Sequence, residues 1–251
     1  MPTEVIQIVE FPQSDWNETN EKSFKYIKNK PDLDSMNEKI DMLESQIADM
    51  LYEPISIGTF SLNSEVRTVE IGTKITEVTL SWTINRDPKT LTLDEESLDV
   101  ALRKKTISDL EITYNNNKTW KLVATGDRDE TSTKTTSKIN FYNGVYYGAT
   151  TKPDEYNRDF ILSLTKELRS NYKSSFSVNA GTTSEGKYVY YCQPTRFGVC
   201  FFKDGGFDFG NHLVGTVSFE NSSGYTEDYY IYESDYSGLG SLTITVKDED
   251  S

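Results

Sequence analysis

The sequence has very few of the residues on which most enzyme and metal sites depend. Its only histidine is His212, and its only cysteines are Cys192 and Cys200. A single histidine excludes metal sites built from several imidazoles, and a Ser-His-Asp triad would depend on that one residue. The short motifs of serine hydrolases, phosphate-binding loops and zinc proteases are absent as well. We therefore predict a protein that is not an enzyme and holds no metal or cofactor, with His212 structural or exposed.

The two cysteines are too few for a disulfide framework. A bond between Cys192 and Cys200 would need them on adjacent strands, and the alternative that we favour is a pair of reduced, buried thiols. No apolar stretch is long enough to cross a bilayer, so we expect no membrane insertion. The first residues also show no basic segment followed by an apolar run, so no secretory signal is expected. These features fit synthesis in a cytosol.

Positive charge is scarce relative to negative charge. Twenty-six lysines and arginines stand against forty aspartates and glutamates, which gives a formal net charge of −14. Such a chain would repel a phosphate backbone, so nucleic acid is excluded as a partner. Aromatic residues, in contrast, are plentiful, and sixteen tyrosines and twelve phenylalanines can fill a substantial core.

The clearest periodic pattern is a heptad repeat near the N-terminus. The apolar residues are separated alternately by three and four positions, with a and d occupied by Leu33, Met36, Ile40, Leu43, Ile47 and Met50. We predict a coiled-coil oligomerisation helix over residues 32–52, started by a capping box of Ser35 and Glu38. An amphipathic helix packed on its own domain is the open alternative, but its apolar stripe would be wider. The a and d residues permit two or three strands.

The residues on either side of the helix have different patterns. Residues 1–31 are polar and mixed, apart from a strand-like run at residues 5–9, and would be ordered only by a partner. From residue 55 the period changes to two, with Val78, Leu80 and Trp82 on one face of a strand. This pattern predicts a β-sandwich over residues 54–142. A turn at Asn143-Gly144 and a shift toward tyrosine, phenylalanine and glycine predict a second all-β domain over residues 143–248, in which residues 159–170 fit a helix or a strand equally well.

Three groups of side chains could form a ligand site. Flat rings beside carboxylates suit sugar binding, and the candidate rings are Tyr225, Tyr229, Tyr230, Tyr232 and Tyr236. The alternative is that alternate tyrosines fill a β core. Asp127, Asp129 and Glu130 could hold Ca²⁺, but a solvated turn is the simpler interpretation. Glycoside hydrolysis needs only two carboxylates, so a glycan hydrolase stays open as the last alternative.

Several segments also carry a resemblance to known proteins. Residues 69–73 (VEIGT) and 78–82 (VTLSW) resemble an immunoglobulin-like module, and residues 139–148 (INFYNGVYYG) resemble the junction after it. Residues 190–198 (YYCQPTRFG), 205–207 (GGF) and 234–240 (SDYSGLG) resemble a C-terminal domain, and residues 26–31 (YIKNKP) resemble a segment that precedes a helix. The proteins that these segments resemble are fibre proteins of bacteriophage virions, from phages of gut bacteria.

The resemblance implies a structural virion protein of the head fibre, tail fibre or baseplate fibre type, made in the host cytoplasm and assembled as a homo-oligomer, often a trimer. It implies no catalytic residues. We thus expect a mostly β fold, with an N-terminal extended anchor and a short coiled-coil helix, then an Ig-like β-sandwich and a second C-terminal all-β domain. The expected partners are further copies of the chain and other virion proteins that contact residues 1–31. The alternative function is a receptor- or glycan-binding tip that contacts a host surface glycan.

Overall fold

A computed structural model describes residues 14–15, 17–23, 27–28, 32–205, 207–208 and 210–247. The chain divides into two compact units, Met1–Pro54 and Ile55–Ser251. The second unit consists of several β-sheets, so the mostly β fold class is confirmed. Most of the predicted anchor segment, including the strand-like run at residues 5–9, lies outside the described residues.

The first unit contains the helix that the heptads predict. Helix α1 spans Leu33–Leu51 and begins where the side chain of Asp32 accepts a hydrogen bond from the N–H of Ser35, at 3.2 Å. The predicted capping box at Ser35 is therefore wrong, because Ser35 lies inside the helix and Asp32 is the N-cap. The helix ends just before Pro54, which disfavours a helical conformation in the residue that precedes it.

The second unit begins with a β-sandwich. One sheet has the order β1 (Ile57–Leu62), β3 (Val78–Ile84), β6 (Lys104–Ile107). The other has the order β5 (Glu96–Leu98), β4 (Thr90–Leu93), β7 (Lys121–Thr125), β8 (Thr131–Thr135). Between them lies one apolar core, in which Trp82, Leu91, Trp120 and Leu122 are buried. The alternation read from the sequence thus buries one face of each sheet against the other.

The strand order makes the sandwich immunoglobulin-like, as predicted. Its fourth strand, β5, pairs with β4 in the four-stranded sheet, whereas a constant-type immunoglobulin sandwich places the corresponding strand in the other sheet. The connection between β1 and β3 holds a short helix, α2 (Ser64–Arg67), and strand β2 (Thr68–Glu70). Strand β2 leaves the sandwich sheets and pairs in parallel with strand β9 (Asn140–Thr150).

Strand β9 begins the C-terminal sheets. The first has the order β10 (Thr165–Arg169), β9, β12 (Tyr188–Pro194), β16 (Thr226–Ser234), β15 (Asn211–Glu220). The second has the order β11 (Ser175–Asn179), β17 (Ser241–Lys247), β13 (Phe201–Asp204), β14 (Phe207–Asp208). The ambiguous residues 159–170 form most of a short helix, α3 (Arg158–Ser163), and then β10. The predicted domain boundary at residue 143 falls inside β9, and residues 55–251 are grouped in one compact unit.

Both faces of the first C-terminal sheet are covered. Tyr191 and Tyr232 point into a core shared with the second sheet, while Tyr190 and Tyr229 point into a core shared with α3. Successive residues of a strand face opposite sides, so a sheet covered on both sides needs apolar or aromatic residues at consecutive positions. The tyrosine-rich sequence of β12 and β16 meets that requirement.

Candidate functional site

Helix α1 exposes its whole apolar stripe. All six a and d side chains are exposed, from 45% for Leu33 to 85% for Met50, and no residue of the helix is buried. A contiguous apolar stripe in contact with water favours association, because burying it removes apolar surface from solvent.

The five tyrosines predicted as a glycan-binding face do not lie on one surface. Tyr229 and Tyr232 are buried on opposite sides of the sheet. Tyr230 is partly buried against the same core as Tyr232, and Tyr225 packs against the sandwich core. Tyr236 is exposed. Alternate tyrosines of β16 therefore fill two cores, because the strand is covered on both faces.

A buried carboxylate that sequence reasoning missed lies at the end of the same strand. Glu233 is fully buried, and its Oε2 accepts hydrogen bonds from the hydroxyl groups of Tyr156 at 2.6 Å and Tyr190 at 2.7 Å. Its Oε1 lies 2.8 Å from Nζ of Lys152. Burial by itself raises the pKa of Glu233, but these three donors outweigh burial and hold the pKa below its ordinary value. The folded protein therefore stabilises the charged form of Glu233.

The only histidine lies beside this carboxylate. Nε2 of His212 is 4.0 Å from Oε1 of Glu233, and its Nδ1 is 2.7 Å from Oδ1 of Asp235. The hydroxyl groups of Tyr156 and Tyr190 donate hydrogen bonds to Glu233. This position suits a structural donor rather than a nucleophile. A period of two through Tyr229, Ile231 and Glu233 places the glutamate on a core face, and that is the sequence signal that could have identified it.

A second buried carboxylate joins the sandwich to the C-terminal sheets. Glu70 of β2 accepts hydrogen bonds from Nζ of Lys166 at 3.2 Å and from the hydroxyl group of Ser222 at 3.2 Å. Next to it, the side chain amide of Asn221 donates to the carbonyl oxygen of Ile71 at 2.7 Å. Together with the parallel pairing of β2 and β9, these contacts cross-link parts of the chain that are about 70 to 150 residues apart in the sequence.

The acidic loop that could have held Ca²⁺ uses its carboxylates for ion pairs. Asp127 and Glu130 lie 3.4 Å and 3.0 Å from the guanidinium group of Arg86, and Asp129 lies 2.6 Å from Nζ of Lys89. Within residues 32–205 and the other described parts of the chain, no cluster of metal-ligating side chains is found. The same residues include no helix that is both long and apolar enough to cross a membrane.

Both cysteines are free and buried. Burial raises the pKa of both the Cys192 and the Cys200 thiol. Cys192 packs with the core beneath α3, whereas Cys200 packs between the two C-terminal sheets. The thiols therefore act as small apolar groups, in agreement with the alternative that the sequence favoured.

Comparison with known proteins adds one weak structural likeness. No family model and no curated protein matches the sequence. Among solved structures, the chain is similar to the N-terminal eight Ig domains of Down Syndrome Cell Adhesion Molecule isoform 1.30.30, with a TM-score of 0.23 and 12% identity. The match covers 75% of this chain and 23% of that one, so the chain spans about a quarter of that structure's length. The likeness carries no argument about function, and the immunoglobulin-like sandwich rests on the strand order described above.

Proposed function

We propose that the protein is a structural subunit of a bacteriophage virion, a trimeric fibre without enzymatic activity. In this proposal residues 1–31 attach to the head or tail, α1 joins the subunits, and the β-sheets project as a rigid body. The observation that carries the proposal is the apolar stripe of α1, whose six a and d residues are all exposed. The resemblance to phage fibre proteins in the sequence supports the same role.

The construction of the second unit suits a mechanical role. Its sheets are cross-linked by β2 and Glu70, and Glu233 fixes the segment after β9 to the sheet. Buried polar networks of this kind make a body rigid. Symmetric assembly of such bodies would multiply weak surface contacts into avidity.

The alternative is a receptor- or glycan-binding tip, and the structure offers it less support. The three predicted tyrosines that lie on β16 are divided between two cores, so the five tyrosines cannot stack together on a sugar. A contact between exposed surfaces of the fibre and a host glycan remains compatible with the structural role, and binding of the intact protein to host polysaccharide would be the result that favours the tip.

The oligomeric state of the full-length chain tests the proposal. Light scattering of the intact protein at micromolar concentration should give about 86 kDa, three times the chain mass of 28.6 kDa. The double variant Ile40→Asp, Ile47→Asp places charge in the stripe and should give a monomer. Ser45→Asp, on the outer side of the same helix, is the matched control and should keep the oligomer. An intact protein that is monomeric at this concentration would contradict the proposal.

The location of the protein is tested separately. Antibody labelling of purified particles of the encoding phage should mark the particle surface at the head or the tail. Label restricted to the unassembled fraction of the lysate would contradict the assignment to the virion, whatever the oligomeric state.

A further inference from the structure

The charges of α1 are unevenly placed around its apolar stripe. If Leu33 is an a position, the g positions of the helix are Lys39 and Gln46, and the e positions are Asn37, Glu44 and Leu51. Lys39 is the only cation of the helix. The helix also has five carboxylates, and only that of Glu44 borders the stripe. The other four lie at the outer b, c and f positions and belong to Asp34, Glu38, Asp41 and Asp49.

Lys39 and Glu44 cannot form an ion pair with each other within one helix. Side chains on a helix meet when they are three or four positions apart, and these two are five apart. The neighbours of Lys39 at those spacings toward the C-terminus are Met42 and Leu43, both apolar. In the part of the chain that the structure describes, neither Lys39 nor Glu44 forms an ion pair. Each charge therefore borders the apolar stripe without an internal partner.

Two helices that pack through this stripe would bring the charges together in one orientation only. In a parallel coiled coil in register, a g side chain lies beside the e side chain five residues later on the neighbouring helix, so Lys39 would face Glu44 of the second copy. In an antiparallel pair, g faces g and e faces e. Lys39 would then face Gln46 or another Lys39, and Glu44 would face Asn37, Leu51 or another Glu44.

We propose that α1 binds further copies of this chain in parallel and in register, and that contacts between Lys39 and Glu44 of neighbouring copies select this orientation. The inference rests on the self-association proposed above and adds its geometry. Apolar residues at a and d supply most of the association, whereas charges at e and g set partner and direction. The parallel arrangement gathers the N-terminal segments of all copies at the same end of the bundle.

Charge variants of the full-length protein test the orientation. Glu44→Lys would place two lysines side by side in the parallel arrangement, and should weaken the association constant about tenfold at low salt, summed over the contacts of a trimer. Adding Lys39→Glu to it restores opposite charges and should restore association. Glu38→Lys makes the same charge change on the outer side of the helix and should not weaken association. Sedimentation equilibrium measures all four proteins, and the differences should shrink in high salt.

A cross-linking variant tests the register by a second route. Leu43→Cys places the same thiol at the seam of every copy, so mild oxidation should give disulfide-linked chains only if the helices are parallel and in register. Glu38→Cys is the matched control and should stay unlinked, and the native thiols are buried.

The outcomes separate the two proposals. A wild-type protein that is monomeric overturns the self-association itself. A wild-type oligomer whose association is unchanged or strengthened by Glu44→Lys, or that gives no Leu43→Cys cross-link, keeps the self-association and overturns the parallel orientation. Weakening by Glu44→Lys, rescue by the reversed pair and cross-linking at residue 43 together support it.

Discussion

Removal of the Glu233 side chain should be among the more damaging single substitutions in the C-terminal sheets. The carboxylate is fully buried and accepts two phenolic hydrogen bonds within 2.7 Å. In Glu233→Ala, the buried hydroxyl group of Tyr190 loses its acceptor, which costs about 1–3 kcal/mol. The cavity left by the side chain adds about 1–2 kcal/mol. The ion pair with Lys152 contributes less, because the lysine side chain is 53% exposed and regains water.

We therefore expect Glu233→Ala to lower the free energy of unfolding by about 2–5 kcal/mol, the range that follows from these two contributions. Glu233→Gln keeps the volume and one acceptor, and should cost about 1 kcal/mol. Asp228→Ala, at an exposed position of the same strand, is the matched control and should stay within about 0.5 kcal/mol of the wild type. Urea unfolding followed by circular dichroism measures all three variants. A loss below about 1 kcal/mol for Glu233→Ala would refute the reasoning, because it would mean that the phenols find other acceptors at no cost.

The pH dependence of the same site has a defined sign. The pKa of Glu233 is held below its ordinary value in the folded protein, so its contribution to stability is complete above the pKa of the unfolded chain and is lost as the pH falls through the folded pKa. The difference in stability between the wild type and Glu233→Gln should be constant near neutral pH and should shrink in acid, where the wild-type carboxyl is protonated. A difference that grows in acid would contradict the depressed pKa.

Three further predictions concern other parts of the fold. Gly72→Ala should lower the free energy of unfolding by about 2 kcal/mol or more, because φ is +97° and the added Cβ would lie 2.8 Å from a carbonyl oxygen. Gly224→Ala, where φ is +79° and the Cβ would meet open space, should lower it by only about 1 kcal/mol. Thermal unfolding measures both variants. Leu122→Ala in the sandwich core should cost about 2–5 kcal/mol, against less than about 1 kcal/mol for the half-exposed Leu213→Ala, and equal losses in urea would contradict the assigned core. The two native thiols should resist a disulfide reagent until the protein unfolds, and rapid reaction of the folded protein would show that they are accessible.

The sequence by itself determined the elements whose cause is local. The heptad spacing predicted a helix over residues 32–52, and the structure has it over Leu33–Leu51. The alternation around Trp82 predicted a strand with one buried face, and β3 buries Val78, Leu80 and Trp82. In both cases the period of the apolar residues matches the geometry of one element, so no distant partner is needed to recognise it.

Only the tertiary structure decided what the distant parts of the chain do to one another. The partners of Glu233 come from β12 and from the segment after β9, about 40 to 80 residues away, and no local pattern announces them. No local pattern predicts that β2 pairs with β9 rather than with a sandwich strand, or that the tyrosines of β16 are divided between two cores. A period of two shows that a strand has two faces, but what covers each face depends on sheet order and register, which are fixed when the whole chain packs.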